Sequence, residues 1–333
     1  MRKTKYAGPF KLSSSPHIRS EESVPTIMCW VVGSLVPAMG GAVFFFGLDA
    51  IRILLISILT CLVTEYIFLA ARKKDASAVF DGSALITGIL FALVLPPGLK
   101  SSHVVIGAFV SIALGKQVFG GLGYNIFNPA LVGRAFLQAA FPVAMTTWIP
   151  PLAQKGVDTL TFATPLARFK FSAADVPPAE RLADLDNLFI GHVGGCLGET
   201  SALLLLVGAG ILLVKRYIDW RIPTGILAAV FALTGIVHLI NPEACAPPLF
   251  HIFAGGLLLG GFFMATDMVT SPITRKGTWI YGVSIGVLVV LIRIQGGLPE
   301  GVMYAILFMN AFVPILNRFS RPKIFGEKGN GVG

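Results

Sequence analysis

The chain has 333 residues, of which 55% are hydrophobic and only 13% charged, and its mean hydropathy is +0.79. A soluble domain carries about a quarter charged residues, so the composition excludes an ordinary soluble globule. The net charge of +9 is spread over the ends of apolar runs rather than one basic face, which argues against nucleic-acid binding.

Residues 1–26 are polar and basic, without the small-residue cleavage site of a signal peptide, and read as a cytoplasmic segment. Apolar runs near the ~20 residues needed to cross a hydrocarbon core then recur at about 27–47, 50–71, 82–97, 102–119 and 127–147. A polar loop over 148–195 follows. A second set runs at about 196–214, 222–240, 249–266, 278–294 and 300–317, with a tail at 318–333. The predicted fold is an all-α integral membrane protein of about ten transmembrane helices. The third run is short and ends in Leu95-Pro96-Pro97-Gly98, and Gly120-Gly121-Leu122-Gly123 interrupts the fourth and fifth. Interrupted helices are how transporter-like folds build sites inside a membrane.

Most of the 26 Lys and Arg residues fall at one set of span ends, among them Arg72, Lys73, Lys74, Lys215, Arg216, Arg221, Arg275, Lys276 and Arg318. By the positive-inside rule both termini are cytoplasmic and the 148–195 loop faces outward. Gly120-Gly121-Leu122 with Asn125 to Phe136 echoes Gly296-Gly297-Leu298 with Met309 to Phe319. A duplicated half of five spans inserts upside down, so the expected architecture is two inverted five-span repeats, 27–147 and 196–317, with sites near the midplane.

Chemistry-bearing residues are few. The loop holds Asp158-Thr159-Leu160-Thr161-Phe162-Ala163-Thr164, followed by Pro165, Arg168 and Lys170. Pro165 disfavours helix at Thr164, and a modifiable Thr164 calls for an exposed hydroxyl on a non-helical segment. Arg168 and Lys170 are candidates to offset a phosphate or simply a solvated loop face. Asn125 and Asn128 stand before Pro129, where they can cap the fifth helix or hydrogen-bond a ligand's polar edge. Glu65, Arg134, Glu199 and Asp267 lie within spans, and Asp81 lies at a span end. Intramembrane ionisable groups are functional candidates by default. The carboxylates Asp81, Asp267, Glu199 and Glu65 are read as ion-coupling candidates, against ion pairing with Arg134 or Lys116 or snorkelling to the interface. The four cysteines lie far apart with no C-x-x-C pair, so this chain alone offers no iron–sulfur or zinc site and no disulfide framework. No G-x-G-x-x-G follows a strand to bind NAD.

Several stretches resemble one family. Leu85 to Leu93 with Leu95-Pro96-Pro97, Gly115 to Gly121 with Asn128 to Phe136, and Phe263-Met264-Ala265-Thr266-Asp267 with Thr270-Ser271-Pro272 resemble three of its signatures in order. Asp158 to Thr164 resembles its site for a flavin transferase, which esterifies FMN phosphate to the last threonine. Together these resemble the RnfD/NqrB family over about residues 15–319, with Ser15-Pro16-His17 and only about 25 residues before the first span favouring the RnfD type. The resemblance implies a bacterial inner-membrane subunit of an ion-translocating ferredoxin:NAD oxidoreductase, not active alone. It implies covalent FMN on Thr164, supported by Asp158 and Thr161, and a second, non-covalent flavin, riboflavin, near Asn125 and Asn128. The implied partners are other membrane and peripheral subunits, including a second flavin-carrying subunit and iron–sulfur subunits. The alternatives are an NqrB-type subunit of a Na+-pumping NADH:quinone reductase, a non-redox urea-transporter-like channel on the same fold, and an assembly scaffold without cofactor.

Overall fold

The computed structural model describes residues 22–149, 151, 163–171, 185–191, 193–242 and 245–322. Among them every element is helical. Helix α1 (Val24–Phe46) starts at a Ser23 cap and contains Pro37, and Gly47, at φ 61°, turns the chain into α2 (Leu48–Ala71). A 3₁₀ segment, Ala76–Asp81, leads through Gly82 into α3 (Ser83–Leu93). Helix α4 (Ser101–Ile112) ends in a π-helical turn, Ala113–Gln117, and α5 (Pro129–Ala140) follows a bend built on Gly120, Gly121 and Gly123, all at positive φ. Short helices α6 (Pro142–Met145), α7 (Pro165–Phe171) and α8 (Leu185–Ile190) connect to the second half. That half comprises α9 (Ala202–Lys215), α10 (Arg221–Ile240), the broken pair α11 (Pro248–Phe253) and α12 (Leu257–Leu259) with a π turn at Gly260–Met264, α13 (Arg275–Gln295) and α14 (Val302–Phe319).

Helices α1, α2, α10, α13 and α14 are long and apolar enough to cross a membrane, and α3 and α9 are shorter apolar helices. Their outer faces carry Phe44, Leu48, Leu239, Val214 and Phe319, all exposed, as expected where the surrounding solvent is lipid. The inner faces meet in one apolar core that includes Leu35, Ile53, Phe91, Leu93, Tyr281 and Ile306.

The halves pack in the same order. Helix α2 lies on α3 and α4, and α4 on α5; α10 lies on α11 and α13, and α13 on α14. Across the halves α1 meets α9 and α5 meets α14. Small residues permit the close crossings: a Cβ on Gly88 would sit 2.8 Å from Ile58 Cα, and one on Gly282 would sit 2.6 Å from Ile222 O.

An interrupted helix exposes carbonyls that hydrocarbon cannot satisfy, and basic side chains take them here. Arg72 donates to Gln117 O (2.5 Å) and Lys74 to Gly120 O (3.2 Å) after the first π turn. Arg293 donates to His251 O (2.5 Å) and Ala254 O (3.0 Å) at the end of α11. Lys170 donates to Ile292 O (3.3 Å), Arg293 O (2.8 Å), Leu298 O (3.1 Å) and Gly296 O at the end of α13. Cations at helix C-termini also offset the negative end of the macrodipole.

Candidate functional site

Two cavities flank α5, each within the size range of organic-cofactor sites. The first, about 810 Å³ with its mouth, lies at the start of α5 and is lined by Asn125, Asn128, Lys116, Ser83, Thr266 and Asp267 among apolar neighbours. The second, about 690 Å³ with its mouth, lies along the rest of α5 and is lined by Arg134, Gln138, Trp148, Thr164, Glu199 and Glu300. The Gly260–Met264 π turn stands between them: Phe262 and Phe263 face the first, Met264 the second.

Both asparagines reach the first cavity. Asn128 caps α5, its Oδ1 accepting from Ala130 N (3.1 Å) and Leu131 N (3.3 Å), while its Nδ2 donates to Met264 O (3.3 Å). The Asn310 amide bridges Tyr281 Oη (2.6 Å) and the Asn128 backbone N–H (3.1 Å). Thus the two echoing segments meet where α5 crosses α14, through Asn128 and Asn310. Asn125 Nδ2 donates to Phe127 O (3.2 Å). Asp267 accepts from the Thr270 hydroxyl (3.0 Å) in the turn after the second π segment.

Beside this cavity runs a hydrogen-bonded chain. Lys116 Nζ donates to Glu65 Oε1 and to Ser83 Oγ, each at 2.5 Å, and Ser83 Oγ donates to Asp81 Oδ1 at 2.5 Å. Gln117 Nε2 adds a 3.1 Å bond to Glu65 Oε1. The first π turn supplies both Lys116 and Gln117, and π turns recur at functional sites. Lys116 is 1% exposed, so it is not one of the span-end charges that report topology. Arg293, 4% exposed and bound to carbonyls, is likewise removed from that tally. Each is consumed by a helix interruption or a buried partner.

In the second cavity Arg134 pairs with Glu199 (3.2 Å) and with Glu300 (3.1 Å). Glu199 is positioned because Leu197 N and Gly198 N donate to Leu95 O (3.0 Å) and Leu93 O (2.7 Å), the orphan carbonyls at the broken end of α3. Gly198 is required there: a Cβ would lie 2.8 Å from Leu93 Cβ.

Thr164 lines the same cavity but is 3% exposed, against the expectation of an exposed hydroxyl. Leu166 and Phe169 of α7 pack with Leu188, Phe250 and Ala254, which draws the segment into the protein. As expected from Pro165, Thr164 lies just before the helix; its Oγ1 accepts from Ala167 N (3.2 Å). Lys170 has another role than offsetting a phosphate, since its ammonium is bound at the end of α13. Burial pulls its pKa below the usual lysine value, and the four carbonyls hold the charged form against that pull. Arg168 N donates to Thr164 O (2.8 Å). Asp158 and Thr161 lie outside the described residues. Glu300 was missed in sequence because it stands at the edge of an apolar run. Pro299-Glu300-Gly301, a carboxylate at a span mouth, was the available signal. Among the described residues no group of three His, Cys, Asp or Glu side chains could hold a metal ion.

The model of the NQR2, RnfD, RnfE family matches residues 11–326. The chain is 44% identical over 322 residues to the D-type subunit of the proton-translocating ferredoxin:NAD(+) oxidoreductase complex of Clostridium ljungdahlii, covering 96% of this chain and 97% of that one. It is 43% identical over 320 residues to the D-type subunit of the Na(+)-translocating ferredoxin:NAD(+) oxidoreductase complex of Acetobacterium woodii, covering 95% of each. It is 39% identical over 332 residues to the D-type subunit of the ion-translocating oxidoreductase complex of Stutzerimonas stutzeri, covering 93% and 94%. With its apolar helices, the chain is a multi-pass membrane protein. Matched over nearly its whole length, it belongs to the NQR2, RnfD, RnfE family.

Proposed function

We propose that this chain is the D-type membrane subunit of an Rnf-type ferredoxin:NAD oxidoreductase. It carries FMN as a phosphoester on Thr164 and a second flavin, riboflavin, in the cavity of Asn125 and Asn128. The observation that carries the reading is that Thr164, the last residue of the flavinylation-like motif, opens into a cavity of cofactor size. Trp148 on that cavity supplies an aromatic face. Bound flavin supplies one- and two-electron chemistry, while the protein supplies position and electrostatics. The side chains present fit such a group by size and by ring contact. Phosphate counter-charge is not supplied by Lys170.

In this reading ten segments cross a bacterial inner membrane as two inverted five-span halves in a urea-transporter-like arrangement. The like order of packing in the halves supports it. Both termini are cytoplasmic and the Thr164 cavity is outward. The iron–sulfur and NAD chemistry belongs to partner subunits. Two relatives of nearly equal similarity are named for different ions, so similarity does not choose between H+ and Na+.

Thr164→Val is expected to abolish flavin fluorescence of this subunit on a denaturing gel; persistent fluorescence, or FMN mapped by mass spectrometry to another residue, overturns the assignment. A flavin held in the cavity beside Asn128 would gain negative charge on reduction, and at low dielectric that charge would draw a compensating cation. Asp267 lines that cavity and Asp81 ends the Lys116 chain, so both are placed to couple the two movements. With flavin content intact, Asp267→Asn is expected to lose ion uptake by vesicles containing the complex. Wild-type uptake and ferredoxin:NAD turnover would remove Asp267 from the mechanism.

A further inference from the structure

Arg134 gives one N–H arm to each of two carboxylates, Glu199 Oε1 and Glu300 Oε2. The other oxygen of each, Glu199 Oε2 and Glu300 Oε1, is buried and accepts no hydrogen bond. Glu199 is 5% exposed, and the two carboxyl groups are held at the two arms of one guanidinium. A buried acceptor without a donor is costly, and so is a second negative charge against a single cation. One proton held on the pair removes one donorless acceptor and one negative charge.

We propose that Glu199 and Glu300 share one proton and form a proton-binding site on the wall of the Thr164 cavity. The ion pairs support it. Arg134 of α5 is the one cation that pairs with both carboxylates among the described residues. Arg293 of α13, on the far side of Gly255, keeps its charge and donates to the neutral carbonyls of His251 and Ala254, and it makes no ion pair with either carboxylate. His251 of α11 touches the site only through that carbonyl. Lys170 of α7 is held by the α13 carbonyls, and Cys196, buried beside Glu199, accepts from its backbone N–H (3.1 Å). With one proton bound, the Arg134, Glu199 and Glu300 group is neutral; with none, it carries one net negative charge.

Geometry favours a proton over a metal cation. Hard cations gather six or more oxygens, whereas here glycine backbone closes on the carboxyls. A Cβ on Gly256 would sit 2.7 Å from Glu199 Oε1, and one on Gly255, at φ 71°, 3.0 Å from Glu300 Oε1. A proton needs only a carboxyl oxygen and one acceptor beside it. It exchanges with water in the cavity that both residues line, the pair going from one bound proton to none as the water gains it. The link to electron transfer rests on the flavin reading of Thr164; the proton site does not.

The test is infrared difference spectroscopy of the purified complex, stepped in pH, in H2O and D2O. A protonated-carboxyl C=O band that shifts in D2O is expected in the wild-type complex. Glu199→Gln and Glu300→Gln should each abolish it, because a shared proton needs both partners. Asp219→Asn, at a half-buried pair with Arg221 away from this cavity, should leave it. Absence of the band in wild type, or its survival in either Gln variant, overturns the proposal. Loss of the band on replacing choline by Na+ at fixed pH overturns the assignment to a proton. Loss in both Gln variants with Thr164→Val unchanged confirms a proton site independent of the flavin reading.

Discussion

The Glu65 and Arg134 clusters are built from the same parts and balance differently. At Glu65 one ammonium meets one buried carboxylate, and Ser83 and Asp81 extend the chain towards the surface. At Arg134 one guanidinium meets two carboxylates; in both clusters one oxygen of each glutamate is left without a donor. Charge balance separates a pair that holds a helix interruption together from a group poised to take up a proton. Arg suits the second task because its planar fork reaches two carboxylates at once, whereas Lys presents a point charge.

The sharpest way to break this comparison is to remove each cation. Arg134→Met leaves two buried carboxylates and is expected to destabilise the protein by about 3–5 kcal/mol, read as a lowered unfolding temperature of the solubilised complex. Recovery should require both Glu199→Gln and Glu300→Gln; full recovery with only one would mean the second carboxylate needs no partner. Lys116→Met is expected to cost somewhat less, within about the same range, because Glu65 retains Gln117. Here the single change Glu65→Leu should recover most of the loss, and failure to do so would show that Lys116 does more than neutralise Glu65. The smallest effect sharpens the boundary between the cavities. Asn128→Ala removes the α5 cap and is expected to cost about 1 kcal/mol. It should also lower the non-covalent flavin fraction while leaving the Thr164 label. An unchanged fraction would leave Asn128 as a cap alone.

How far the site was legible follows from the same physics. Glu65, Arg134, Glu199 and Asp267 stood out because a charge within an apolar run is rare and needs a reason. Their partners did not stand out. Lys116 and Glu65 are 51 residues apart and Arg134 and Glu300 166, and no local pattern carries such a pairing. Lys170 reads as a loop charge, yet it binds the open carbonyls at the end of α13, as Arg293 does at the end of α11. Nothing in the spacing of a basic residue reveals a carbonyl that a distant helix has left open.

The sequence by itself determined the class of this protein. Apolar runs of membrane length, glycine and proline at their interruptions, and the ordered motifs of the family are local properties, fixed by hydrophobicity and backbone sterics. Only the tertiary structure decided that Thr164 is buried beside Arg134, that Asn128 meets Asn310, and that two glutamates share one arginine. Those outcomes depend on how helices cross. In a membrane interior an unpaired charge or carbonyl is so costly that packing must bring distant partners together, and the register of that packing is written over the whole chain rather than in any one segment.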